Sequence, residues 1–93
     1  MVREVVRIAG RVQGVGFRDR VLDIANDYRV AGTVRNLRSG ETLEIDVEGE
    51  PAEIERFVAD VLAHPPTFAR IAAVDREQRA PRGRTRFTLE PTG

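Results

Sequence analysis

The chain has 93 residues, 41% of them hydrophobic, and its 15 basic and 15 acidic residues cancel to a formal charge of zero. That length holds one domain, residues 1–93, with a modest core, and the balance excludes bulk attraction to nucleic acid or an anionic membrane. Cysteine is absent and histidine occurs once, at His64, which excludes disulfides, thiol nucleophiles, thiolate metal sites and a histidine metal cluster.

Taken in order, Val2 to Ala9 is rich in β-branched residues and predicts a strand ending near Gly10. From Phe17 the apolar positions Phe17, Val21, Ile24, Ala25 and Tyr28 fall at helical spacing. Ala31-Gly32 breaks that pattern, and Thr33 to Leu37 predicts a second strand. Arg38-Ser39-Gly40-Glu41 has turn composition, which makes a hairpin with the next strand. Thr42 to Glu48 alternates strictly, with Leu43, Ile45 and Val47 inward. Its acids, together with Glu41 and Glu50, are expected on a solvated face.

Pro51 suits the first turn of a second helix, and Ile54, Phe57, Val58, Val61 and Leu62 follow its apolar stripe. Pro65-Pro66 ends it. Phe68 to Val74 predicts a fourth strand, Arg76 to Arg84 a solvated basic loop, and Thr85 to Leu89 a short last strand. The order β-α-β-β-α-β, with a possible terminal strand, is the split βαβ or ferredoxin-like arrangement. It is an α+β fold, an antiparallel sheet covered on one face by two helices.

The chemistry concentrates between the first strand and the first helix. Gly10, Gly14 and Gly16 free the backbone to curl, so that successive N–H groups can point inward. A helix N-terminus adds partial positive charge, and Arg18 adds a planar fork of donors. This combination is suited to a small tetrahedral anion. Asn36 follows Val34 by two residues, so alternation puts its amide on the covered face of the sheet. A buried amide must find partners or face a cleft; capping the Arg38–Gly40 turn is the other reading. His64, at a helix end, is expected to meet the helix dipole rather than act as a base.

The run Gly10-Arg11-Val12-Gln13-Gly14-Val15-Gly16-Phe17-Arg18 resembles the signature loop of the acylphosphatase family. Gly32-Thr33-Val34-Arg35-Asn36 with Gly40 resembles its second motif. The resemblance implies hydrolysis of an acyl phosphate to a carboxylate and inorganic phosphate, without metal or cofactor. It implies Arg18 and Asn36 as catalytic residues, and the loop backbone of Gln13, Gly14, Val15, Gly16, Phe17 and Arg18 as the phosphate cradle. Two positions depart from the family. Thr33 replaces an aromatic residue, which is expected to remove bulk near the site. Asp19 follows Arg18 where an acid is not typical, and it is expected to point to solvent.

The expected partner is a small acyl phosphate, with inorganic phosphate as product, bound by a monomer. The absence of a long apolar run and of a signal-peptide core at Met1–Glu4 leads to an expectation of no membrane partner and a cytoplasmic location. The alternative is a non-enzymatic ferredoxin-like module binding RNA or a small anionic ligand, to which the arginines at 76, 79, 82, 84 and 86 could contribute. RNA-binding sheets of this topology need aromatic residues on their central strands. Phe17, Tyr28 and Phe57 read as core instead, so nucleic acid is not the expected partner.

Overall fold

Two facing sets of apolar side chains organise the fold, one on the strands and one on two helices. The computed structural model describes residues 1–93 throughout. The strands are β1 (Val2–Arg11), β2 (Val30–Asn36), β3 (Thr42–Gly49), β4 (Arg70–Arg79) and β5 (Phe87–Leu89); the helices are α1 (Phe17–Ala25) and α2 (Pro51–Ala63). The sheet order is β4-β1-β3-β2-β5. The first four strands pair antiparallel, and β5 adds to β2 in parallel. Val6, Ile8, Val34, Leu43, Ile45 and Val47 meet Phe17, Val21 and Ile24 of α1 and Ile54, Phe57, Val58 and Val61 of α2. Burying each large apolar side chain contributes about 1.5–3 kcal/mol. Phe57 joins three elements, meeting Tyr28 and Phe87 edge-on at centroid distances of 6.2 and 5.6 Å. The ferredoxin-like arrangement expected from the element order is the one observed.

Several boundaries differ from the sequence pattern, each for a physical reason. β1 continues to Arg11 because a bulge between Ala9 and Gly10 absorbs the irregularity. A β-carbon on Gly10 would lie 2.1 Å from the Arg70 carbonyl, so only glycine allows that approach. α1 ends at Ala25, and Tyr28 reaches the core from the following turn. β2 begins at Val30, three residues early, and runs through Gly32, where a β-carbon would strike the Asp46 carbonyl. Gly32 marks close strand approach, not a break. β4 extends to Arg79, well into the stretch expected to be loop, because its pairing with β1 continues to Arg3. β5 is shorter than expected, only Phe87–Leu89.

The uncovered face of the sheet overturns the expectation of a solvated acidic stripe. Glu44, Asp46 and Glu48 are buried. Glu44 sits directly opposite Arg7 on one side and Arg35 on the other. Both arginines bring Nε to its carboxylate, at 3.1 and 2.9 Å. Asp46 takes a two-pronged contact from Arg3, 2.8 Å on each oxygen, and another from Arg84. Glu48 accepts the N–H groups of Arg82 and Gly83, pinning the segment between β4 and β5 over this face. The segment expected to be a solvated basic loop is therefore tied down at Arg82 to Arg84. On the helix side Arg76 bridges Glu4 of β1 and Glu55 of α2.

This network sets an acid limit on stability. Burial alone would raise the Asp46 carboxyl, but the hydrogen bonds and charges of Arg3 and Arg84 outweigh it and hold it well below the usual carboxylate range. The unfolded chain therefore takes up the proton first as the pH falls. Stability from this group is complete above roughly pH 5 and drains away below about pH 4. Asp46→Asn should remove that acid-side slope. At pH 7 it should cost about 3 kcal/mol or more, because Arg3 stays buried without its carboxylate. Urea unfolding across a pH series checks both; an unchanged slope would place the acid sensitivity elsewhere.

Candidate active site

The cleft forms where β1 gives way to α1, beside the end of β2. Val12 and Phe17 anchor the intervening loop at its two ends, and both are buried in the core. Between them Gly14 and Gly16 take left-handed backbone angles, φ +71° and +81°. A β-carbon at either would meet no other atom, so it is backbone conformation and not crowding that calls for glycine. Gly16 caps α1 in this conformation, and no side chain satisfies the helix N-terminus. From Gln13 to Arg18 no backbone N–H donates to a backbone acceptor. The loop thus presents a row of unused donors at the positive end of a helix.

The expected site residues separate into two groups. Gly14, Gly16, Phe17, Arg18 and Asn36 all line one cavity of about 280 Å³, together with Val12, Asp19 and Leu89. Gln13 and Val15 do not. The Gln13 side chain turns to the β2–β3 hairpin and donates to the carbonyls of Leu37, at 2.7 Å, and Thr42, at 3.1 Å. Val15 packs against the edge of the core. Both can still offer backbone N–H groups.

Arg18 lies half-buried in the first turn of α1, and it makes no ion pair. Its one hydrogen bond is long, 3.4 Å from Nη1 to the Glu90 carbonyl. Asp19 is exposed on the rim and does not pair with it. Asn36 ends β2 with 9% of its surface exposed, and its buried Oδ1 has no partner. The turn-capping reading fails here. Gly40 N–H to the Leu37 carbonyl and Glu41 N–H to Ser39 Oγ hold that turn without the Asn36 amide.

Two further expectations are corrected or refined. Thr33 does not border the cleft. It sits opposite Asp46 and lines the uncovered face, because it is one residue out of phase with Val34 and Asn36. His64 lies past the end of α2, its Nδ1 against the Asp60 carboxylate at 2.8 Å and the Asp60 carbonyl at 3.1 Å. No cluster of three His, Asp or Glu side chains is arranged to hold a metal. No helix is long and apolar enough to cross a membrane.

The sequence pattern did not reveal the tail. Glu90 N–H bonds the Val34 carbonyl, Gly93 N–H bonds the Asn36 carbonyl, and Arg38 N–H bonds that of Gly93. The segment after β5 therefore laces onto the strand that carries Asn36. Its residues carry no periodic signal that could have announced this.

Fold and site together define a ferredoxin-like α+β domain with a loop of unused backbone donors between its first strand and helix. The acylphosphatase family matches residues 4–89, and the chain belongs to that family, hydrolases acting on acid anhydrides. An acylphosphatase of Thermococcus kodakarensis is 41% identical over 88 residues, 95% of this chain and 94% of its own. One from Methanospirillum hungatei is 49% identical over 61 residues, a match that spans 66% of each chain. The crystal structure of acylphosphatase from Bacillus subtilis superimposes with a TM-score of 0.88 at 32% identity, covering 97% of this chain and 99% of that one.

The Gln13 contacts generate a test. Gln13→Ala leaves the Leu37 and Thr42 carbonyls without that donor and should cost about 1–3 kcal/mol. In a domain this size each kcal/mol lowers Tm by roughly 4–8 °C. Thermal unfolding measures the loss; a wild-type Tm would mean the hairpin holds the loop without Gln13.

Proposed function

We propose that this cleft hydrolyses acyl phosphates through Arg18, Asn36 and the backbone of Gln13 to Arg18. The loop N–H groups and the Arg18 guanidinium would take the phosphoryl oxygens and stabilise the charge that spreads over them in the transition state. The Asn36 amide would hold a water in line with the scissile bond. That water forms the new P–O bond as the bond to the acyl oxygen breaks. The carboxylate leaves with the electron pair, and the water's proton passes to the phosphate product or to solvent. A carboxylate is a good leaving group, so no strong general acid is required.

One observation carries this reading: an unsatisfied, buried amide and a guanidinium without a carboxylate line the same cavity. Buried polar atoms without partners cost stability, and their persistence points to a role met only when ligand is bound. The loop's unused N–H groups supply the third component. The second motif and the signature loop, both matched in order, support the assignment of Arg18 and Asn36 to these roles.

The orphaned amide makes the test sharp. Asn36→Ala should lower kcat on benzoyl phosphate by about 10²-fold or more, with KM little changed. It should not lower Tm, since no hydrogen bond is lost. Arg18→Ala should abolish competitive inhibition by inorganic phosphate and the rise in Tm that phosphate causes. Arg18→Lys should restore little, because an ammonium lacks the planar fork. Near-normal turnover in Asn36→Ala would leave the water to another group. Phosphate stabilisation of wild-type size in Arg18→Ala would place the anion site elsewhere.

Metal independence follows from the side chains present. Hydrolysis should survive excess chelator, as measured in the same assay. Activity lost to chelator and restored by Mg²⁺ or Zn²⁺ would overturn the mechanism.

A further inference from the structure

The uncovered face of the sheet holds a groove of about 430 Å³, larger than the cleft and sharing no lining residue with it. Six arginines line it, at 3, 7, 35, 79, 82 and 84, against three carboxylates, Glu44, Asp46 and Glu90. Those arginines are more than the network needs. Arg3 and Arg84 are spent on Asp46, and Arg79 pairs with Glu77 at the rim. Arg7 and Arg35 touch Glu44 only through Nε, so the Nη groups of both have no partner in the protein. Their side chains are 39% and 40% exposed. Asp75 stands opposite Arg7 across the β1–β4 pairing but does not bond to it. The Arg82 guanidinium makes no contact with any carboxylate.

The geometry points to a second anion site in this groove, one that takes a small molecule carrying a chain of phosphoryl groups. Guanidinium forks match phosphoryl oxygens in pairs; the shared Glu44 carboxylate fixes Arg7 and Arg35 by Nε and leaves their Nη groups without a hydrogen-bond acceptor, that of Arg35 lying against Gly93. The Arg7–Glu44–Arg35 row lies four residues along β3 from Glu48, which pins the backbone of Arg82. At about 3.3 Å per residue that separation is about 13 Å. One phosphate cannot span it, whereas a chain of them can, with arginine side chains closing the ends. The groove has a single hydrophobic lining residue, Val5, and no aromatic one. It therefore lacks the stacking platform on which single-stranded RNA depends. The segment from Glu90 to Gly93 lines one side of the groove, whose volume suits a small molecule.

Inorganic tripolyphosphate is the probe, with binding followed by calorimetry at low and moderate salt. The full chain should bind it in a saturable way, with affinity falling as salt rises. Arg18→Ala should still bind it in a saturable way, which separates the groove from the catalytic cleft. The double variant Arg7→Gln, Arg82→Glu should weaken it by about tenfold or more. Arg35 still holds Glu44 in that variant, so the fold should persist, and benzoyl phosphate hydrolysis in the absence of tripolyphosphate should be unchanged. Arg82→Glu alone, at an exposed position, should weaken binding in the same direction and guards against misfolding of the double variant. Loss of binding in Arg18→Ala would assign tripolyphosphate to the cleft and overturn the proposal. So would wild-type affinity in the double variant, or a single-stranded RNA that binds this face and is not displaced by tripolyphosphate.

Discussion

The constraint on which everything else rests is the two-residue alternation of side chains along β2 and β3. On β3 it sends Leu43, Ile45 and Val47 into the core and Glu44, Asp46 and Glu48 to the other face. On β2 it sends Val34 and Asn36 to the helix side and Thr33 and Arg35 away from it. A slip of one residue would bury the acids against α1 and α2 and expose the apolar set. It would also take Asn36 out of the cleft. The register that builds the core is thus the same register that places the amide beside Arg18. The two bulky ends of the cradle loop, Val12 and Phe17, share the core with those strands, so packing fixes the loop relative to Asn36.

A second contrast runs through the polar groups. On the uncovered face nearly every charge has been matched: Glu44 with two arginines, Asp46 with two, Glu48 with two backbone N–H groups and Arg84. In the cleft the matching stops. The Asn36 oxygen is buried without a partner, the Arg18 guanidinium has only a long bond to a carbonyl, and the loop donors are open. A chain of this length could have satisfied those groups as it satisfied the others. Polar groups left open in the cleft, while the buried carboxylates of the other face are all matched, form the pattern of a site preorganised for a ligand.

Much of this was legible in the residues. The alternation in Thr42–Glu48 and the stripe from Ile54 to Leu62 are local periodic signals, and both elements formed where the pattern put them. That Gly14, Gly16, Arg18 and Asn36 line one cavity was foreshadowed by the glycine loop, by strand alternation at Asn36 and by the family motifs they resemble. What escaped notice depends on partners far away in the chain. Arg76 to Arg79 reads as polar loop until β1 supplies the edge to pair with. Glu44 and Asp46 read as solvated because nothing local says that Arg3, Arg7, Arg35 and Arg84 will lie across from them. Gln13 looked like one more member of a backbone cradle, yet its side chain bonds residues more than twenty positions on. Thr33 is expected near the site only through the family's second motif, and its odd separation from Asn36 puts it on the opposite face.

The charge arithmetic shows why a neutral chain can still capture anions. Coulomb attraction between exposed groups fades beyond about 8–10 Å at physiological salt, so net charge says little about any one site. The local inventory is what matters. The acids of β3 are neutralised where they stand, by arginines from β1, β2 and the segment before β5. They project little field into the cleft on the other side of the sheet. Arg18 therefore acts against a background of open N–H groups and a helix N-terminus, all of one sign. Its present partner is the Glu90 carbonyl, a neutral acceptor at long range. A phosphoryl oxygen would offer the same donor a shorter, charge-assisted bond than this carbonyl does. A carboxylate in that place would have competed with substrate. The only acid on the rim, Asp19, stands exposed and unpaired, and high-dielectric solvent weakens its pull on Arg18. That lone carbonyl contact leaves the Arg18 charge without a counter-ion in the cleft.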